Sequence, residues 1–244
     1  MRYAILSDIH GNLEALQAVL ARTARLGADM VVCLGDLVGY NADPNECVDI
    51  IRSDGIICIM GNHDEAACGL AEPYGFNPAA REAALWTRTV LTLEHQIFLR
   101  ELPRYLLIDN IVLCHGSIND TSRYILDDAD VRDNLSLMDG LPGGPRACFY
   151  GHTHVRAACH AEGQVIAKEP GDEISLHRDR KYLINPGAVG QPRDGDPRAA
   201  FLLYDSHARN VTLYRTEYDI AACQSKILSA GLPAGLAERL SVGR

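Results

Sequence analysis

Two hydrophobic patterns alternate along this chain: short apolar runs that stop abruptly at Asp, Asn or His, and longer segments whose apolar residues recur at helical period. The run "YAILSD" predicts a strand buried on both faces. In "NLEALQAVLARTARLG", Leu13, Leu16, Val19 and Leu20 fall at helical spacing and Gly27 ends the helix. "DMVVCLGD" predicts a second buried strand. "DPNECVDIIRSDG" predicts a helix with Asp43 as N-cap and Pro44 in its first turn, and "IICIMGNHD" a third strand. This β-α-β-α-β order predicts a parallel sheet with right-handed crossovers.

Residues from about 64 to 101 read as a helical insert broken by "GLAEPYGFNP". "RYLLIDNIVLCHGS" reads as a hairpin turning at Asp109-Asn110, and "ILDDADVRDNLSLMDG" as one helix before the loop "LPGGP". From Ala147 the chain becomes mostly short strands ("ACFYG", "VRAACHA", "QVIAKE", "KYLINPG", "AAFLLYDS", "NVTLYRTEY"), with turns expected at "AEGQ" and "DSHARN". The tail from Asp219 returns to weak helix. No linker-like stretch separates the halves, so residues 1–244 are expected to form one α/β domain, two packed mixed sheets with helices outside.

The formal net charge of −9 argues against gripping long nucleic acid, which needs a basic face. It leaves room for a small phosphorylated substrate, because bound cations reverse the local sign. "MRYAILSDIHG" breaks into charge too early for the apolar core of a secretory signal, and no apolar run approaches membrane-spanning length. The eight cysteines are scattered, several within apolar runs (Cys33, Cys58, Cys114, Cys148), with no Cys-x-x-Cys pair. Reduced, buried thiols in a cytoplasmic protein without a membrane partner are expected.

The chemistry stands at the ends of the apolar runs. "LSDIHGN" offers Asp8 and His10, "CLGDLVG" Asp36, "IMGNHDE" Asn62, His63 and Asp64, "LCHGS" His115, and "YGHTHV" His152 and His154. Five of the nine histidines lie there. His152 and His154, at i and i+2 after a strand, are expected on one side of the sheet. In open α/β sheets, ligands sit beyond the carboxyl ends of strands. Alone, each fragment is an ordinary cap, turn or hydrogen-bonded histidine; in this order, each after an apolar run, they point to one site. Carboxylate, imidazole and amide donors without thiolate suit Mn²⁺, Fe²⁺, Zn²⁺ or Ni²⁺. Seven ligands exceed one tetrahedral site and fit two ions roughly 3.5–4 Å apart sharing a carboxylate.

These motifs, D-x-H, G-D, G-N-H-D, H and G-H-x-H in order, resemble the signature of the calcineurin-like metallophosphoesterase superfamily, and the chain is similar to its small prokaryotic phosphodiesterase-like members. The resemblance runs from Asp8 to "INPGAVGQPRDGDPR". It implies a four-layer sandwich of two mixed β-sheets flanked by helices. It implies two divalent metal ions, with Mn²⁺ the ion to try in vitro: Asp8, His10 and His154 on the first, Asn62, His115 and His152 on the second, Asp36 bridging. His63, held by Asp64, would act as general acid to the leaving oxygen or as a donor to the phosphate. The implied reaction is phosphoester hydrolysis by a metal-bridging hydroxide.

The sequence departs from the protein phosphatase branch. "GDLVGYN" has Gly39 and Tyr40 where that branch has an arginine, and Asp64 stands where it has glutamate. Both departures favour a phosphodiester or a small phosphorylated metabolite, nucleotides included, over a phosphomonoester. Tyr40 stacks on a base or is structural. Arg193 or Arg198 in the Gly- and Pro-rich loop binds substrate phosphate or pairs with Asp194 or Asp196. Asn185 is a candidate for orienting a ligand. The insert forms a substrate cap, an outer helical layer or a homo-oligomer surface. His95, His160, His177 and His207 fit no motif and read as surface residues. A scaffold that has lost catalysis, as in the eukaryotic retromer subunit of this fold, is the alternative from another class; no signature residue is missing here.

Overall fold

The computed structural model describes residues 1–163 and 165–244. The elements run β1 (Arg2–Leu6), α1 (Leu13–Arg25), β2 (Met30–Cys33), α2 (Pro44–Ser53), β3 (Ile57–Cys58), α3 (Asn62–Ala67), α4 (Pro78–Val90), α5 (Leu93–Glu101), β4 (Tyr105–Ile108), β5 (Ile111–Cys114), α6 (Asp128–Asp139), β6 (Ala147–Phe149), β7 (Ala157–Glu162), β8 (Val165–Lys168), β9 (Glu173–Ser175), β10 (Tyr182–Asn185), β11 (Ala199–Asp205), β12 (Asn210–Thr216), α7 (Ile220–Ser229) and α8 (Ala234–Glu238), with a 3₁₀ turn at Arg239–Ser241.

The strands form two six-stranded mixed sheets, β3-β2-β1-β11-β12-β9 and β4-β5-β6-β10-β7-β8. β1 is apolar on both faces because both are covered. Tyr3 and Ile5 belong to the core between the sheets, with Leu113, Phe149 and Ile184. Ala4 and Leu6 pack outward with Leu16 and Val19 of α1. On the far side, Val131, Leu135 and Met138 of α6 join Cys114, Cys148 and Leu183. This is the expected sandwich of helix, sheet, sheet and helix. β1, β2 and β3 are parallel neighbours, as are β5 and β6, so their carboxyl ends open on one edge of the sandwich.

Some local expectations change. The third strand is only Ile57–Cys58, because the Met60 amide bonds to Pro103 and the chain turns into α3 at Asn62. Asp43 precedes α2 but makes no capping bond; its carboxylate takes Lys226 at 2.8 Å instead. α6 starts only at Asp128, with Asp127 capping the amides of Ala129 and Asp130. β9 was not anticipated: it is three residues long with Ile174 alone buried, too short to show alternation. β7 and β8 pair across the expected "AEGQ" turn, whose Gln164 lies outside the described residues. All eight cysteines are buried and free of disulfides. Among the described residues no helix is long and apolar enough to cross a membrane.

Candidate metal centre

Both sheets contribute to one buried cluster. The first supplies Asp8 and His10 after β1, Asp36 after β2 and Asn62 after β3; the second supplies His115 after β5 and His152 and His154 after β6. All seven are buried. Backbone bonds draw the loops together: the Asp8 amide to Gly35, the His10 amide to Asp36, and the Gly151 amide to His115. Gly61 can lie against Asp36 because it has no Cβ; a methyl there would collide with the Asp36 carboxylate.

Among the described residues eight non-glycines have positive φ, and six of them stand here: Asp8, His10, Asp36, Tyr40, His152 and His154. Left-handed backbone is costly for such side chains and collects at functional sites. It also corrects the reading of "GHTH". His152 and His154 share a side through left-handed loop geometry (φ 64° and 60°) past the end of β6, and strand alternation plays no part.

Each aspartate spends one oxygen on the backbone. Asp8 Oδ2 accepts from the His152 amide at 3.1 Å, and Asp36 Oδ1 from the His63 amide at 2.9 Å. The other oxygens, Asp8 Oδ1 and Asp36 Oδ2, are buried with no hydrogen-bond partner. The imidazoles are anchored likewise: Nδ1 of His10, His115 and His154 reaches the carbonyls of Val38, Leu34 and Gln191, and Nε2 of His152 that of Ser122. A carbonyl only accepts, so in each neutral ring the anchored nitrogen carries the proton and the opposite nitrogen is left with a lone pair. His10 Nε2 then lies 3.1 Å from His154 Nε2, and His154 Nε2 3.2 Å from Asp8 Oδ1. His115 Nε2 lies 3.2 Å from both Asp36 Oδ2 and Asn62 Oδ1.

Facing lone pairs and partnerless anionic oxygens in a buried site call for cations. The donors fall into two groups, Asp8, His10, Asp36 and His154, and Asp36, His115 and His152, each within 4.8 Å and sharing Asp36. This set fits divalent ions. Burial disfavours the carboxylate of Asp8, yet His154 and His115 hold its pKa below the ordinary range. Burial pushes His10 well down and His152 to about 3, whereas His115, although buried, is pushed up to about 10 by Asp36 and Asp8.

His63 is buried beside the cluster, its ring 4.5 Å from that of Tyr40 and 4.4 Å from that of Phe76. Its Nδ1 has no partner, and burial brings its pKa down to about 4. The expected His63–Asp64 pair is absent. Asp64 accepts from the amides of Gly61 (2.9 Å) and Val38 (3.2 Å), because its place in the first turn of α3 turns it back toward the loop. Burial, with Asp36 nearby, raises its pKa to about 8.

His63 and the cluster open into a cavity of about 420 Å³, whose walls include Asp36, Asn62, His152, His154, Tyr40 and Arg193. Arg193 donates to the Tyr40 hydroxyl (3.1 Å) and to Gln191 Oε1 (3.0 Å); its Nε is buried without a partner, and no carboxylate lies within ion-pair distance among the described residues. Asp194 is taken by Arg215. Arg198 stands outside this cavity, on Asp196 at 2.6 Å. Asn185 is fully buried and also outside it, holding the "GHTH" loop through Gly151 O and Thr153 Oγ1. Insert residues Glu65, Ala71, Glu72, Phe76 and Asn77 line the cavity, as do Ser122 and Tyr124. None of these residues was singled out from the sequence; Glu65 lies in α3 next to "GNHD", and the others lie in irregular segments with no motif. His95 and His160 are buried, contrary to expectation, each against an acidic side chain (Asp49; Glu162 and Glu169), while His177 and His207 are exposed.

Two mixed sheets thus bring their strand ends together on a buried cluster of carboxylates and imidazoles that could hold metal ions. The chain belongs to the calcineurin-like phosphoesterase superfamily, whose domain model matches residues 1–209, and is a hydrolase of phosphoric ester bonds. It is 38% identical to an uncharacterized protein of Methanocaldococcus jannaschii, covering 99% of this chain and 98% of that one. Its structure is similar to that of a metallophosphoesterase from Sphaerobacter thermophilus, at 39% identity and a TM-score of 0.88 over 100% of both chains. It shares its fold with a hypothetical protein from Pyrococcus horikoshii, at 20% identity and a TM-score of 0.81, covering 100% of this chain and 98% of that one.

Proposed function

We propose that the protein is a binuclear metal-dependent hydrolase of a phosphodiester or another small phosphorylated metabolite. Asp8, His10 and His154 would hold one divalent ion, Asn62, His115 and His152 the other, with Asp36 common to both. Such ions, manganese among them, supply Lewis acidity toward phosphoryl oxygens and lower the pKa of water. The rest falls to the chain. Arg193, pre-set by Tyr40 and without a carboxylate of its own, grips a non-bridging phosphoryl oxygen. His63 gives a hydrogen bond or a proton to the departing oxygen; burial favours its neutral form, which suits donation of a hydrogen bond. Asp64 and Asn185 hold the loops that aim these groups. The cavity of about 420 Å³ supports a small substrate.

The observation that carries the reading is the pair of partnerless oxygens, Asp8 Oδ1 and Asp36 Oδ2, ringed by imidazole lone pairs. The test is hydrolysis of bis-p-nitrophenyl phosphate and p-nitrophenyl phosphate with Mn²⁺, against a chelator control. Chelator-sensitive cleavage favouring the diester is expected. A strong monoester preference would overturn the diester part, and no cleavage of either ester by metal-loaded protein the whole reading.

A further inference from the structure

A second cavity, of about 490 Å³, adjoins the catalytic one and shares Tyr124 as a wall. The ring of Tyr124 leans on that of His152, with centroids 3.9 Å apart. The loop after β6 serves both chambers: His152 and His154 line the catalytic cavity, whereas Thr153, Val155 and Arg156 line the second.

The second cavity differs in character. Ile125, Val131 and Ile166 form apolar walls, while Leu126 and Val155 are 76% and 39% exposed. Its acids are committed: Asp127 caps α6, Asp128 pairs with Arg132, and Glu169 with His160. Arg156 pairs with Asp172. Lys168, exposed at the mouth, has no ion-pair partner among the described residues. An apolar slot with one uncommitted ammonium suits a planar aromatic group bearing acceptor oxygens. The shared wall of Tyr124 and the shared loop after β6 put such a group next to a phosphorus held in the catalytic cavity. A phosphomonoester has one arm; a diester has a second to place across Tyr124.

We propose that this cavity is a binding site for the second, aromatic arm of a phosphodiester substrate. The proposal rests on the phosphoesterase reading and deepens it. It makes the cavity between α6 and β7–β8 a selector of diesters by their non-reacting arm, with no part in the bond that breaks.

The test compares two esters with the same leaving group, bis-p-nitrophenyl phosphate and methyl p-nitrophenyl phosphate, on the metal-loaded protein and on Leu126→Glu and Val155→Glu. Both substitutions are at exposed positions in the cavity lining, one before α6 and one after β6. The ratio of kcat/KM for the two esters should fall about tenfold in each variant, carried by KM for the aryl ester. Comparing variants with wild type cancels the intrinsic reactivity of the esters. Binding of phenylphosphonate monophenyl ester, followed by calorimetry, should weaken in parallel. An unchanged ratio in both variants, or equal loss on both esters, overturns the proposal while leaving the phosphoesterase reading intact. A change of oligomeric state in Leu126→Glu with the ratio unchanged overturns it in favour of a second copy of the chain as occupant. Failure of wild-type protein to cleave either ester is a failure of the underlying reading instead.

Discussion

His10 and His154 meet through their Nε2 atoms at 3.1 Å, each with Nδ1 tied to a backbone carbonyl, of Val38 and Gln191. Neither nitrogen can donate to the other while both rings are neutral, and burial pushes the pKa of both rings down. Such a contact stores repulsion that a cation relieves. Titration with Mn²⁺ should therefore raise the melting temperature, by the equivalent of about 2.7 kcal/mol at a hundredfold excess over Kd. Asp36→Asn, which alters the carboxylate shared by both donor groups, should abolish most of that rise and lower metal content by elemental analysis. An unchanged metal content would remove Asp36 from the site.

His63 lies in the cavity wall and outside both donor groups. His63→Ala should lower kcat by about 10²- to 10⁴-fold with metal content intact. Gly39→Ala should act in the same direction: the added Cβ would lie 2.5 Å from His63 Nδ1, at a φ of +94° that disfavours any side chain. Full activity in either variant would argue against His63.

Asp64 serves the loop and makes no bond to His63. Asp64→Ala leaves the buried amides of Gly61 and Val38 without acceptors, which costs about 1–3 kcal/mol of stability. Denaturant unfolding should show that loss, and the shape of the pH–rate profile should stay that of wild type. A shifted profile with unchanged stability would restore the histidine–carboxylate pairing.

Arg193→Met removes a charge-assisted bond to the substrate, worth about 1.5–3 kcal/mol, so kcat/KM should fall by about ten- to a hundredfold. Arg198→Met, outside the catalytic cavity, should leave both kinetic constants within twofold or so, since exposed ion pairs contribute about 0–1 kcal/mol. Equal effects of the two substitutions would contradict the assignment of the clamp to Arg193.

The order and kind of the cluster residues were legible before any coordinates, because each stands directly after an apolar run that must be a buried strand. The sandwich was legible too: apolar runs without alternation, such as "YAILSD", need cover on both faces. Asp36 is common to both donor groups and His63 lines the cavity beside them.

What lay beyond the sequence were relations between segments far apart in the chain. Spacing could not say that Asp64 turns toward Gly61 and Val38, or that Arg193 crosses to Tyr40, 153 residues away, while Arg198 folds back on Asp196. Nor could it say which nitrogen of each histidine is free. That is set by a carbonyl on another loop, Leu34 for His115 and Ser122 for His152. The cavity walls from Phe76 and Tyr124 belong to irregular segments whose placement no periodicity encodes. Local hydrophobic pattern fixes which residues end strands, because burial acts on each segment separately. Tautomers, clamps and cavities depend on how the ends of two different sheets meet, and only the packed tertiary structure decides that.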